Sequence, residues 1–264
     1  MTMNIKGNTI LITGGTSGIG RALAEALQKE GNQVIIAGRR KELLTQVVAA
    51  NPGMKSAELN VEDLRGLKDF AAKISTEYPT LNVLINNAGI MKAENLLEPG
   101  ADFSAAESTV TTNLLAPIEL TALLLPTLKK QSGATVMTVT SGLAYIPMAT
   151  TPTYCATKAA IHSWTQSLRY QLKGTNVQVM ELVPPYVQTE LLGKHQLSDP
   201  NAMPLAEFIS EVIGILKSQP DAREVLVQRV LPLRFSAEDA QKQAGYQKFF
   251  EEFNTRVASQ AAGH

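Results

Sequence analysis

Thr9-Ile10-Leu11-Ile12-Thr13-Gly14-Gly15-Thr16-Ser17-Gly18-Ile19-Gly20 is the stretch on which the fold turns. Its first five residues form an apolar, β-branched run, and a helical pattern, Gly18–Glu30, starts at the last glycines. Such an order reads as strand, tight turn and helix. Glycines in the turn let the backbone approach a ligand closely, and the unpaired N–H groups of a helix N-terminus favour an anion there. The spacing Gly14-xxx-Gly18-x-Gly20, enclosing Thr16, Ser17 and Ile19, therefore points to a pyrophosphate-binding turn. The alternative is a plain strand-to-helix connection.

The same alternation continues along the chain. Further strands are expected at Gln33–Ala37, Lys55–Leu59, Asn82–Asn86, Ala134–Thr140 and Val177–Leu182. Helical patterns lie between them at Lys41–Ala50, Val61–Tyr78, Phe103–Lys130 and Tyr154–Lys173. Near-continuous apolar strands separated by helices predict an α/β class: a Rossmann-type doubly wound parallel sheet in three layers. With no repeat or linker tract, residues 1–264 read as a single domain. After Val183 the pattern becomes irregular, and 184–220 is expected to be a substrate loop or lid containing a helix at Leu205–Lys217. A last strand is expected within Glu224–Leu233. A C-terminal amphipathic helix follows at Glu238–Val257, with Ala244, Phe249, Phe250 and Phe253 packing inward.

Composition narrows the function classes. Twenty-four basic and 24 acidic residues give a formal net charge of zero, so no basic patch suggests nucleic acid. One cysteine, Cys155, excludes an internal disulfide or a Cys-cluster metal site, and the three histidines (His162, His195, His264) lack metal-ligand spacing. No metal is expected. No apolar run reads as long enough to cross a membrane and the N-terminus lacks a signal-peptide layout, so the cytoplasm is the expected compartment.

Two further places carry chemistry. At the end of the second strand, where an acid would bind the ribose hydroxyl of NAD, stands Gly38, followed by Arg39-Arg40. Room plus guanidinium charge favours NADP(H), with NAD(H) the alternative; Arg39 is expected to be the main contact and Arg40 a helper. Both arginines also fit a solvated first helical turn. Tyr154-Cys155-Ala156-Thr157-Lys158 puts a phenol and an ammonium on one helical face, with Ser141 thirteen residues upstream. An ammonium beside a phenol favours the phenolate, so Lys158 is expected to lower the Tyr154 pKa and ready it for general acid/base work.

Taken together, Thr13-Gly14-xxx-Gly18-x-Gly20, Asn86-Asn87-Ala88-Gly89, Asn113, Ser141 and Tyr154-xxx-Lys158 resemble the short-chain dehydrogenase/reductase family over roughly the first 190 residues. The C-terminal portion resembles its DltE-like branch. The resemblance implies that Tyr154 is the proton donor or base and that Ser141 orients the substrate oxygen. It implies that Lys158 holds the nicotinamide ribose and that Asn113 completes a water-linked proton relay. Asn87, Ala88 and Gly89 would line the adenosine side, Asn60-Val61 would meet adenine, and Pro184, Val187 and Thr189 would approach the nicotinamide. Family members are commonly homodimers or homotetramers. Where the family usually has Pro-Gly, this chain has Pro184-Pro185, and Asn60 replaces the usual Asp.

One part of that reading is testable from residue chemistry. Pro117 has no N–H to donate to the carbonyl of Asn113, so the helix is expected to be broken there, freeing that oxygen for a water. Leu143, Tyr145, Met148 and Tyr186, with Met91 and Leu191, are expected to wall an apolar substrate site. Cys155 reads as a small core residue, Trp164 and His162 as packing or interface residues, and His195 as a solvated loop residue. The expected activity is hydride transfer between NADP(H) and a small carbonyl or alcohol. The rivals are an NAD-preferring dehydrogenase and a catalytically silent nucleotide-binding regulator.

Overall fold

Every residue of strand β1 (Thr9–Thr13) is buried, and its side chains serve two cores. Ile10 and Ile12 join the cluster on one face, while Leu11 joins the cluster on the other. The alternation follows from the two-residue period of a strand and explains why the run reads as wholly apolar. The computed structural model describes residues 3–97, 103–236, 252–256 and 259. Beyond β1 the strands are β2 (Gln33–Gly38), β3 (Lys55–Glu58), β4 (Leu81–Asn86), β5 (Ala134–Val139), β6 (Val177–Val183) and β7 (Glu224–Leu226). They form one sheet in the order β3-β2-β1-β4-β5-β6-β7, with every pairing parallel. The order reverses between β1 and β4, and ligands of such sheets bind in the crevice beyond the strand ends there.

Helices cover both faces, as the sequence predicts. α1 (Gly18–Lys29), α2 (Lys41–Ala50) and α7 (Leu205–Ser218) supply Leu23, Leu27, Leu44, Phe208 and Val212 to one core. α3 (Leu64–Glu77), α5 (Ala116–Leu128) and α6 (Pro152–Gln171) supply Phe70, Ile74, Leu120, Leu124 and Leu168 to the other. Each such side chain is worth about 1.5–3 kcal/mol when fully removed from water, which is what holds the layers together.

Several boundaries differ from the sequence reading. α3 begins at Leu64 rather than Val61, because Asp63 caps it, its Oδ1 accepting from Gly66 N at 3.2 Å. The run Glu224–Leu233 is strand only to Leu226. A turn of 3-10 helix (Gln228–Val230) and the short α8 (Leu231–Arg234) follow, with Pro232 in the first helical turn. The helix expected at Phe103–Lys130 is α4 (Ser104–Val110), a π-helical turn at Thr111–Leu115, and then α5. Over Ser104–Leu128 it is long enough to cross a membrane, with a hydropathy of 1.3 in its most apolar window, which corrects the expectation that no such run exists. Its apolar residues Leu120, Leu124 and Leu128 are spent on the sheet core. Of the helix expected at Glu238–Val257, residues 252–256 are helical, and Ala244, Phe249 and Phe250 lie outside the described residues.

Candidate active site

The glycine turn is shaped first by the protein's own packing. Gly14 has φ +68°, and a Cβ there would press within 2.9 Å of Ala88 Cα and Asn87 Nδ2. A Cβ on Gly20 would collide with the Asn87 amide and the Gly14 carbonyl. Gly18 differs: at φ +53° its added Cβ meets nothing closer than Thr189, at 3.5 Å, so this glycine faces the cleft. Asn87 binds the turn, its Nδ2 donating to the carbonyls of Thr13 (2.9 Å) and Gly14 (3.3 Å). Thr13 Oγ1 in turn accepts from the N–H groups of Asn87 and Ala88, each at 3.0 Å. Asn87 therefore clamps the glycine turn with its side chain, a role distinct from the adenosine-lining one the resemblance implies.

The N-terminus of α1 is open to an anion. Its N-cap, Ser17, makes no side-chain cap bond, which leaves first-turn N–H groups pointing at the turn. The Ser17 hydroxyl accepts instead from Arg40 Nη2 at 3.1 Å, and the same nitrogen donates to Thr16 Oγ1 at 3.0 Å. Arg39 turns the other way, its Nη1 3.6 Å from Glu62 Oε1. In the free protein Arg40 thus stands over the glycine turn and Arg39 beside Glu62. Arg40 is also the extended N-cap residue of α2. Asn60 is exposed and caps its own loop, its Oδ1 accepting from Glu62 N at 3.2 Å. Val61 and Ala88 line a small cleft with Thr13 and Pro117.

Asn113 sits in the π-helical turn, where the Ala116 N–H reaches back to the Thr111 carbonyl, so the helix is interrupted where Pro117 withholds its N–H. Its buried side chain ties three segments together. Oδ1 accepts from Ile90 N (2.9 Å), and Nδ2 donates to the Ile90 carbonyl (2.9 Å) and to Thr157 Oγ1 (3.2 Å). A Cβ on Gly89 would lie 3.4 Å from Asn113 Oδ1 and 3.7 Å from Lys158 Nζ, so loop, asparagine and lysine meet at one point.

Tyr154 and Lys158 lie one turn apart on α6, both buried, with Nζ 5.6 Å from the centre of the phenol ring. Burial pushes the Tyr154 phenol up to about 12, and the Ser141 hydroxyl beside it works against that rise. The expectation that Lys158 holds the phenol below its ordinary range does not describe the free protein, where burial is the dominant influence. Burial also presses the Lys158 ammonium down to about 8. Lys158 Nζ donates to the Val139 carbonyl at 2.8 Å. Ser141 is extended, and its Oγ accepts from Leu143 N at 3.1 Å.

Two anchors near the site escaped the sequence reading. Glu94 caps α6, accepting from Thr153 N at 3.0 Å and Thr153 Oγ1 at 2.7 Å, beside Tyr154. Buried Gln196 fixes the loop after β6, its Nε2 donating to the Val187 carbonyl (2.7 Å) and Thr189 Oγ1 (3.1 Å). Both are isolated polar residues whose partners lie in other segments, and nothing local marks them. The Pro184 carbonyl accepts from Gly142 N at 2.9 Å, which ties the start of the loop after β6 to the Ser141 turn.

The expected apolar wall is partly assembled. Met148, Tyr154 and Cys155 form a buried cluster against which Met91, Leu143 and Phe253 pack. Tyr145 is not part of it: its hydroxyl donates to Glu224 Oε1 at 3.0 Å and lies 3.1 Å from His162 Nδ1, behind the site. Tyr186 donates to Asp199 Oδ2 at 3.0 Å within the loop after β6. Leu191 and His195 are exposed. Cys155 is buried, and Trp164 packs on the core.

An uncapped helix N-terminus, a glycine facing the cleft and a guanidinium above it suit a dinucleotide phosphate. The lysine and loop glycine suit a ribose deeper in. The comparisons agree. Residues 8–199 match the model of the short chain dehydrogenase family. The chain is similar to the uncharacterized oxidoreductase DltE of Bacillus subtilis, 38% identical over 260 residues, covering 96% of this chain and 99% of that protein. It is also similar to sulfoacetaldehyde reductase 2 of Chromohalobacter salexigens, 30% identical, covering 85% and 94%. A short chain dehydrogenase from Burkholderia cenocepacia, solved with NADP, superposes with a TM-score of 0.78 at 25% identity, covering 93% and 98%. The chain belongs to the short chain dehydrogenase family. It is an oxidoreductase with a nicotinamide dinucleotide cofactor.

Proposed function

We propose that this chain is an NADP(H)-dependent reductase that interconverts a ketone or aldehyde with its alcohol, Tyr154 acting as general acid and base. The observation that carries the reading is the buried Tyr154 phenol, flanked by the Ser141 hydroxyl and one helical turn from Lys158. The bound nicotinamide supplies the hydride in reduction and accepts it in oxidation. In reduction, Ser141 Oγ donates a hydrogen bond to the carbonyl oxygen, and Tyr154 transfers its phenolic proton to that oxygen as it gains charge. The Lys158 ammonium stabilises the phenolate left behind, and Asn113 holds the 87–90 loop against it. Burial raises the phenol to about 12, so Tyr154 holds its proton at neutral pH and can give it to the substrate oxygen in reduction.

Arg40 over Thr16 and Ser17, with Gly38 in place of an acid, supports NADP(H) over NAD(H). Met91, Leu143, Met148 and Phe253 around Tyr154 support an apolar, small carbonyl substrate. The test is consumption of NADPH and of NADH against a panel of aliphatic and aromatic ketones and aldehydes, sulfoacetaldehyde included. The reading expects turnover with NADPH on apolar members. Cofactor binding without turnover on any carbonyl or alcohol would refute it.

A further inference from the structure

Glu181 sits in strand β6, fully buried in the parallel sheet, where an apolar residue is the rule. A buried carboxylate persists only when it is hydrogen-bonded and paired. Glu181 Oε1 accepts from Thr140 Oγ1 at 2.7 Å and lies 3.3 Å from the Tyr145 hydroxyl, which shares its one proton between Glu181 and the nearer Glu224. His162 Nδ1 lies 2.9 and 2.8 Å from its two oxygens. Each contact leads to the site. Thr140 directly precedes Ser141. His162 lies one turn along α6 from Lys158, on the same face, and Lys158 Nζ is held by Val139, the residue before Thr140.

The charged and titratable groups around this carboxylate are few among the described residues. α6 presents Lys158, His162 and Arg169, β7 presents Glu224, α8 presents Arg234, and the turn after β5 presents Tyr145. Arg234 grips Glu224 with Nε at 2.7 Å and Nη2 at 2.9 Å, so that carboxylate has its own cation. The spacing of His162, Glu181 and Glu224 would suit a metal ion, but the guanidinium already serves as the positive partner there. Arg169 spends its donors on the carbonyls of Val179 and Arg223. The cations whose charge is felt with that of Glu181 are Lys158 and Arg169, and of the two Lys158 is the one at the site.

We propose that Glu181 is a positioning residue of the reaction: it fixes the Ser141 end of β5 through Thr140, fixes α6 through His162, and keeps Lys158 charged through space. The proposal rests on the Tyr154–Lys158 reading above. Burial drives the Lys158 ammonium down, and the Glu181 charge opposes that fall.

The test is a side-chain NMR titration of the lysines in cofactor-free protein, with the Lys158 signal assigned by its loss in Lys158→Arg. Glu181→Gln should lower the Lys158 midpoint by about one pH unit and move the alkaline limb of the kcat profile down with it. Thr140→Val, which removes a hydrogen bond and keeps the charge, should lower kcat and leave the midpoint in place. A Lys158 midpoint unmoved in Glu181→Gln overturns the proposal. If that variant does not fold, Glu181→Met combined with His162→Leu exchanges the pair for apolar groups and carries the same expectation. Full turnover in Tyr154→Phe would overturn the functional reading beneath, and the NMR midpoint does not depend on it.

Discussion

Replacing Arg40 with alanine should erode the preference for NADPH over NADH, whereas replacing Arg39 should leave it nearly intact. Arg40 Nη2 is pinned by two hydroxyls, Thr16 Oγ1 at 3.0 Å and Ser17 Oγ at 3.1 Å, so its guanidinium is fixed above the glycine turn before any cofactor arrives. A preorganised charge-assisted hydrogen bond is worth about 1.5–3 kcal/mol, a factor of roughly 10 to 150 in Kd. NADH has no 2′-phosphate to lose, so its Kd should move by no more than about twofold. Arg39 has a side chain 60% exposed, 3.6 Å from Glu62. Exposed pairs of this kind contribute about 0–1 kcal/mol, so Arg39→Ala should change NADPH affinity by about fivefold at most. Calorimetric titration of the wild type and both variants with each dinucleotide, at two salt concentrations, reads these numbers directly. A larger loss of NADPH affinity in Arg39→Ala than in Arg40→Ala would refute the reasoning.

The remaining expectations concern stability. Burial lowers Lys158 from the ordinary 10.5 to about 8, so holding the charged form in the fold costs on the order of 3 kcal/mol at about 1.4 kcal/mol per pH unit. The sign is that of a base with a depressed folded pKa: the cost is complete below about pH 8 and vanishes as pH rises to 10.5. Lys158→Met should therefore be inactive yet about 1–2 kcal/mol more stable at neutral pH, after deducting the lost bond to Val139. That advantage should fade in urea titrations run at increasing pH, and equal or lower stability at neutral pH would contradict it. Gly20→Ala should destabilise by about 1–3 kcal/mol, because its Cβ collides with Asn87 and Gly14. Gly18→Ala should cost only about 1 kcal/mol of left-handed strain but weaken cofactor binding. Thermal unfolding and dinucleotide titration of the pair should show this opposite ranking.

The layered sheet was legible because burial on both faces leaves a plain trace: Ile10, Leu11 and Ile12 alternate between two cores and so read as one apolar run. The π-turn was legible as a break because Pro117 lacks an N–H, although its form was not. Glu224–Leu233 misled because a short apolar run carries no period that separates strand from helix. β7 pairs with β6 over three residues only, and Pro232 is the sign of the helix that follows. The arginine arrangement was hidden because it depends on Thr16, Ser17 and Glu62, all remote in sequence. Tyr145 was misplaced for a similar reason: its direction is set by Glu181, Glu224 and Arg234, all remote in sequence. Phe253 and Asn254 show the limit most plainly. Asn254 Nδ2 donates to the Pro147 carbonyl at 3.3 Å, bringing Phe253 to the Tyr154 cluster from about a hundred residues away in sequence.

The central claim is that the buried Tyr154 phenol moves the proton. Steady-state kinetics of NADPH-dependent carbonyl reduction in wild type and Tyr154→Phe, with NADPH affinity measured in parallel, tests it most directly. The account predicts a loss in kcat of about 10²–10⁴-fold with NADPH Kd nearly unchanged. A variant that keeps wild-type kcat would contradict it.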